Sequence, residues 1–502
     1  MKNNFIKIIF SSFILQIVVL FSGFIVPKLI IENYGSSVNG LVTSIKQLFA
    51  YFSVISVAIS SAVGVSLYEP LAKKNYKKVN RILTTTAKYF NNVGLILTII
   101  VLIISIFFPM FITNESEYLF TFTVIIILGI SAVMEYSLVS KYRVLLMADQ
   151  KNNIISLISA KGIILNTIIT VILVYLNVSI IIIITVSSLV YLLRLLETKR
   201  RVREIYPQID FKSKESNDFV IKNKFDAFLY YIPGVIVSYT PIVLIVTSIS
   251  LEQASVYSVY NMIFLSLSMI VSIFSSGIPS IFGNMISTLE KDTLKKNYRI
   301  YTFLMRVVTF SLYTSAVFLT IPFINLYINN NDGVDYINHY LALAFALNGL
   351  FKNLRMPSTV FIEAAGDYKK NKNKNIIEAL LLIILAVFLI SSYSILGVLI
   401  AGIISSFWRS TLYIMDTEKN TFNENPKNEI LKYVINILIM ITLITSLINL
   451  SLFNKIENYF EWIFIAMIIS ILIFIIFFVV NMILDKKYYF YLKERWKNKK
   501  DE

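Results

Sequence analysis

About fourteen stretches of this chain are each long and apolar enough to cross a bilayer, and no extended polar region separates them. They lie near 8–31, 41–69, 89–112, 118–140, 153–176, 178–197, 225–250, 256–283, 301–327, 338–362, 376–392, 397–415, 433–453 and 461–484. A hydrocarbon core roughly 30 Å thick needs about 20 apolar residues at a rise of about 1.5 Å each. In lipid every backbone polar group must be satisfied within the segment, so these runs are helices. The predicted fold class is therefore an all-α polytopic membrane protein of about fourteen transmembrane helices. Composition agrees: 57% of the 502 residues are hydrophobic and 15% charged, against about 25% charged in a soluble chain. A soluble enzyme and a single-anchor protein are both excluded.

The formal net charge of +16 would point to nucleic acid in a soluble chain, but here it serves orientation. Lys73, Lys74, Lys77, Lys78 and Arg81 fill one connector, and Lys199, Arg200, Arg201 and Arg203 another. Lys486, Lys487, Lys493, Arg495, Lys497, Lys499 and Lys500 mark the tail. The intervening connectors near 35–39, 113–117, 176–179, 251–255 and 329–335 carry no Lys or Arg. By the positive-inside rule the basic connectors and both termini face the cytoplasm, and no nucleic-acid partner is expected. The first apolar run ends at Pro27-Lys28 without a small-residue cleavage site, so it reads as a retained helix. With no Cys and a single His, His339, neither a Cys-zinc nor a His-rich metal site can be built.

Lys73-Lys74-Asn75-Tyr76 recurs as Lys295-Lys296-Asn297-Tyr298, and Ala148-Asp149-Gln150-Lys151 resembles Ala365-Gly366-Asp367-Tyr368-Lys369 at nearly the same offset. Two parallel repeats follow, with substrate sites expected between halves. The predicted organisation is an N-lobe over 1–205 (spans 1–6), a cytoplasmic linker over 206–224, a C-lobe over 225–415 (spans 7–12), a linker over 416–432, two further spans over 433–484 and a basic tail over 485–502. External connectors are short, which disfavours a polymerase or ligase with a large external catalytic loop.

Several motifs then carry a resemblance: Pro27-Lys28 followed by Tyr34-Gly35 and Asn39-Gly40, Glu69-Pro70-Leu71, and Tyr142-Arg143-Val144-Leu145-Leu146-Met147-Ala148-Asp149-Gln150-Lys151. In this order, with helices arranged six, six and two, the chain resembles a Wzx-type polysaccharide flippase of the multidrug/oligosaccharidyl-lipid/polysaccharide exporter superfamily. The resemblance implies a protein of the bacterial cytoplasmic membrane that moves undecaprenyl-pyrophosphate-linked oligosaccharide across it. It implies alternating access between two lobes, for surface polysaccharide, O-antigen or capsule assembly. Glycosyltransferases and a polymerase are the implied partners, beside membrane lipid. No resident cofactor is expected, and a proton or sodium gradient is the candidate driving force. A Gly-x4-Gly-Lys-Ser/Thr phosphate loop is absent from the sequence, in keeping with a cycle that does not hydrolyse ATP.

Charges inside apolar runs are the candidate site residues, because each costs at least about 2.5–3.5 kcal/mol at the bilayer centre on insertion scales. Asn348, Lys352 and Arg355 fall at i, i+4 and i+7 on one helical face, with Lys352 roughly 21 Å deep from the outer edge. A hydrated substrate cavity and structural pairing are both open readings of that face. Lys28 and Lys46 lie in the outer half, where two cations would attract a pyrophosphate or an acidic sugar. Snorkelling, or pairing of Lys28 with Glu32, explains them equally. The related lipid II flippases carry cations on their first two helices that face the cavity. They also carry one on helix 8, whereas this chain has no charge between Val256 and Gly283.

Glu135 and Lys161 form either an ion pair inside one lobe or, through Glu135, a proton or sodium acceptor. The repeat also sets Glu135 beside Asn353, which makes a closing gate pair of Glu135 with Arg355 a further expectation. The many Tyr and Phe and His339 read as interface and core, and the uncharged last two helices suit a groove for a polyprenyl tail and plain lipid-facing surface equally well. The mostly basic intramembrane charges disfavour the alternative, a cation-coupled drug exporter, whose cavity should be acidic. A membrane glycosyltransferase would need paired carboxylates or a surface His with a catalytic loop, and neither is visible.

Overall fold

The structure, a computed structural model, describes residues 2–112, 117–211, 224–275, 278–287, 291–328, 333–365, 368–447 and 456–486. Most of the basic tail, most of the 206–224 linker, two predicted external loops and the Gly366-Asp367 motif lie outside the described residues. Helices, turns and two short π-helical segments make up the rest. The chain divides into two compact units, Met1–Ser258 and Val259–Glu502.

Unit 1 contains α1 (Lys2–Tyr34), α2 (Ser36–Ala50), α3 (Ser53–Ala72), α4 (Tyr76–Phe107), α5 (Pro109–Ile112), α6 (Tyr118–Val133), α7 (Ser140–Ala148), α8 (Asn152–Tyr175), α9 (Ile180–Ile205) and α10 (Lys224–Ser248). A π-helical segment, Met134–Val139, joins α6 to α7. Helix α11 (Leu251–Ser275) starts in unit 1 and runs on into unit 2. Its first turn lies against α2 so closely that a Cβ on Gly40 would collide with the Leu251 carbonyl, and Asn39 donates to Ser255 Oγ at 2.7 Å. Within the unit α1 packs on α8, α8 on α9, and α10 on α2 and α3. That last packing draws α10 in with the first six spans.

Unit 2 continues with α12 (Ile278–Ser287), α13 (Lys291–Tyr327), α14 (His339–Leu354), α15 (Met356–Ala365), α16 (Tyr368–Asp416), α17 (Pro426–Leu447) and α18 (Tyr459–Leu484). Helix α13 is its mast: 78% of its apolar window is buried, against 11% for α18, whose apolar surface is left for lipid. Helix α16 is two helices in one run, because Ser394 sits at φ 52° and a Cβ on Gly397 would meet the Leu389 carbonyl. Eight residues apart in a straight helix lie about 12 Å apart, so the chain reverses there.

Among the described residues twelve helical runs are long and apolar enough to cross a membrane. Counting the reversed α16 as two spans and the broken α14–α15 pair as one more is consistent with the fourteen expected.

In unit 2 a buried charge cluster ties α17 and α18 to the mast. Arg299 pairs with Glu418, with Glu424 at 2.7 Å and with Glu429 at 3.4 Å, while Arg306 reaches Glu429 at 3.0 Å and Asp485 at 2.9 Å. Lys432 bridges Glu429 and Asp485 at 3.0 and 2.6 Å. Each charge is answered, which is the condition for burying it.

The two copies of Lys-Lys-Asn-Tyr differ in local structure. Lys74 adopts φ 51° and Asn75 caps α4 by accepting from the Lys78 N–H at 3.1 Å. Asn297 lies inside α13 and donates back to the Thr293 carbonyl at 2.9 Å.

Candidate functional site

Within unit 1, α1, α2, α6, α8 and α9 enclose a cavity of about 380 Å³, in the range of small-molecule pockets. Its lining is largely apolar, interrupted by several Ser and Thr hydroxyls and by the larger polar side chains Lys46, Glu135, Tyr136, Asn166, Tyr191 and Arg194. Glu135 and Tyr136 reach it from the π-helical segment, where the wider turn leaves carbonyls short of regular partners. Side chains fill in: Ser140 Oγ donates to the Glu135 carbonyl at 3.1 Å, Ser137 Oγ to Val133 at 2.6 Å, and Ser56 Oγ to Tyr136 at 2.6 Å.

Glu135 is held by two guanidinium groups. Arg143 donates to its Oε1 at 2.8 Å, and Arg194 from α9 lies 3.3 Å from Oε2 while also donating to Ser159 Oγ at 3.1 Å. Gly162 makes room for this, since a Cβ there would press on the Arg194 side chain, 2.7 Å from Cγ. Two buried atoms keep unused bonding capacity: Glu135 Oε2 and Arg194 Nε make no hydrogen bond among the described residues. Lys46 is exposed in the cavity and has neither hydrogen bond nor ion pair among the described residues.

The other predicted residues of this unit fall elsewhere. Lys28 stays on α1 within 3.7 Å of Glu32 and does not line the cavity. Lys161 pairs with Glu197 at 3.2 Å and is largely exposed, so the expected Glu135–Lys161 pair does not form. The reason is geometric: Lys161 immediately precedes Gly162, the residue that accommodates Arg194, and its side chain points out of the cluster that Arg194 occupies.

In unit 2 the α14–α15 break falls at Arg355, two residues before Pro357, whose missing N–H interrupts the ladder. Lys352 occupies the last turn of α14 and Arg355 caps it, at the negative end of the helix dipole. Arg355 donates to Glu378 Oε1 at 2.6 Å, and Arg409 takes the second oxygen of that fully buried carboxylate. Arg409 also donates to Tyr413 Oη at 3.1 Å, which in turn donates to Asn375 Oδ1 at 2.6 Å. Asn348 packs on Gly402 and accepts from Ser406 Oγ at 3.4 Å. Thus α16 covers the face that carries Asn348 and Arg355. Lys352, half-buried, has no hydrogen bond or ion pair among the described residues. Glu135 and Arg355, expected as a gate pair, each find their partners inside their own unit.

Arg194, Glu378 and Arg409 are not among the residues the sequence singles out, and Arg143 enters there only as part of the Tyr142–Lys151 motif. Arg194, Glu378 and Arg409 obey the same signal that marked Lys352, a charge inside or at the edge of an apolar run.

No family model and no curated protein matches this chain. Solved structures do. A structure of the lipid II flippase MurJ in an inward closed conformation matches with a TM-score of 0.68 over 96% of this chain and 99% of that one, at 19% identity. The chain has the fold of the MOP superfamily. An inward-facing multidrug resistance MATE transporter of that superfamily matches at 0.61 over 80% and 92%, with 12% identity. A MOP superfamily transporter from Pyrococcus furiosus, described as having a binding pocket of reverse polarity, also matches at 0.61 and 12% identity, over 82% and 94%. These neighbours are transporters and flippases, not enzymes, and the chain is a multi-pass membrane protein.

Proposed function

We propose that this protein flips an undecaprenyl-pyrophosphate-linked oligosaccharide across the bacterial cytoplasmic membrane by alternating access, both termini being cytoplasmic. The observation that carries the reading is the inventory of unanswered charge. In the two clusters the carboxylates, Glu135 and Glu378, are each clasped by two arginines, while the unpaired side chains, Lys46 and Lys352, are cations. Such a site attracts an anion and repels an organic cation. The fold likeness to a lipid II flippase over nearly the whole chain supports a lipid-linked substrate.

In this reading the unit-1 cavity serves the glycan. Membrane-bound glycosyltransferases supply the substrate, and a polymerase of surface polysaccharide consumes it. A proton or sodium gradient drives the cycle. Glu135 is not assigned the coupling ion, because Arg143 and Arg194 already neutralise its charge.

The test uses the full chain in proteoliposomes with two cargoes: a fluorescent undecaprenyl-pyrophosphate glycan and a lipophilic cationic dye. Gradient-dependent movement of the glycan lipid, with the dye unmoved, is expected. Dye export with the glycan lipid left in place would instead establish a drug exporter.

A further inference from the structure

The unit-1 cavity carries more information than a positive charge. Three of its charged groups have bonding capacity left over, and the three differ in kind. Among the described residues Lys46 Nζ is an ammonium without hydrogen bond or ion pair, Arg194 Nε a buried donor without a hydrogen bond, and Glu135 Oε2 a buried acceptor without one. A fully ionised phosphate would satisfy the two donors but offers Glu135 Oε2 no hydroxyl to accept from. A neutral sugar would satisfy Glu135 through a hydroxyl and leave the ammonium uncompensated. A ring that bears both a carboxylate and hydroxyl groups answers all three.

The remaining lining fits the same ligand. Tyr136 and Tyr191 bring ring faces and hydroxyls that make no hydrogen bond among the described residues, and Asn166 keeps its side-chain oxygen uncommitted while its amide donates to the Ser187 carbonyl at 3.2 Å. Apolar and aromatic walls with a few convergent polar groups are what a ring with apolar faces and a polar rim needs. The volume of about 380 Å³ is at the small end for ligand pockets and suits one or two rings rather than a whole repeat unit.

We propose that this cavity is a subsite for an acidic sugar, a hexuronate-type ring whose carboxylate sits between Lys46 and Arg194 and whose hydroxyl donates to Glu135 Oε2. The inference rests on the flippase reading above and sharpens it: the oligosaccharide carries a carboxylated residue. Losing a charge-assisted hydrogen bond to the carboxylate with the ammonium should weaken binding roughly tenfold or more.

The experiment titrates the full chain in lipid nanodiscs with methyl β-glucuronide, using methyl β-glucoside and inorganic pyrophosphate as rival probes. Saturation-transfer NMR reads the binding, since it registers even millimolar affinity. Expected are saturable transfer to the glucuronide, at least tenfold weaker transfer to the glucoside, and at least tenfold weaker glucuronide binding by Lys46→Gln. Lys46 has no partner to orphan, and an unchanged thermal midpoint verifies that the variant is folded. A second variant, Asn166→Asp, adds a like charge to the lining and should weaken the glucuronide alone. Equal binding of glucoside and glucuronide, displacement by pyrophosphate at matched concentration, indifference to Lys46→Gln, or no transfer at all would each overturn the subsite. Translocation of the lipid-linked glycan is scored separately. Glycan flipping without glucuronide binding sinks the subsite and leaves the flippase. Glucuronide binding that depends on Lys46, without any flipping, sinks the flippase and leaves the subsite.

Discussion

The charge clusters of the two units have the same stoichiometry and opposite settings. In unit 1, Arg143 and Arg194 hold Glu135, and Lys46 stands unpaired in the cavity that Glu135 and Arg194 also line. In unit 2, Arg355 and Arg409 hold Glu378, and Lys352 stands unpaired at the end of α14. Glu378 is wholly buried and its surroundings are filled, with Asn348 pressed on Gly402 and Tyr413 closing the chain of hydrogen bonds. Glu135 keeps 13% of its side-chain surface and an unused oxygen. The same three-to-one ratio of cations to carboxylate is thus a clamp where packing is complete and a receptor where a cavity remains.

The largest effect should follow from breaking the clamp. Glu378→Ala leaves two guanidinium groups buried without a counter-charge, and removing one partner of a buried pair costs about 3–5 kcal/mol. The thermal midpoint in detergent should fall steeply, and a change under about 1 kcal/mol would show that the cluster is solvated. Glu135→Gln should cost less, about 1–3 kcal/mol, because its amide still accepts a hydrogen bond and the cavity admits water. Equal losses from the two glutamate variants would erase the distinction between clamp and receptor.

Gly162→Ala sharpens the comparison without touching a charge. The added methyl group pushes on the Arg194 side chain, an overpacking that costs about 1–3 kcal/mol, and it should lower glucuronide binding more than the thermal midpoint suggests. Lys28→Ala should have the smallest effect. Lys28 is partly exposed and only 3.7 Å from Glu32, a pairing worth about 0–1 kcal/mol, so translocation should stay within twofold of the parent. A larger loss would return Lys28 to the substrate path.

The comparison also marks what could be read from the sequence. The spans were legible because apolar length is a local property, and even the reversal near Ser394 shows as a break between the runs 376–392 and 397–415. Lys46 and Lys352 were legible as costly charges. Their lack of partners was not, since that depends on which helices meet and at what rotation. Depth alone offers Lys161 as a partner for Glu135; the structure gives it Arg143, eight residues along its own helical run, and Arg194 from α9. The π-helical segment Met134–Val139 contains neither Gly nor Pro, so no residue announces the extra turn that presents Glu135 and Tyr136 to the cavity. Likewise α16 covers the Asn348/Arg355 face through Glu378 and Ser406, contacts invisible to helical periodicity.

The central claim is that an unpaired cation in unit 1 recognises an anionic glycan during transport. Its most direct measurement is the initial rate at which a fluorescent, uronate-bearing undecaprenyl-pyrophosphate glycan crosses proteoliposomes containing the parent, Lys46→Arg or Lys46→Gln at equal protein density. Roughly tenfold slower crossing is expected for Lys46→Gln, with substantial recovery in Lys46→Arg and no such dependence for a matched glycan lacking the carboxylate. Crossing rates for Lys46→Gln equal to the parent, or equally reduced for both glycans, would contradict it.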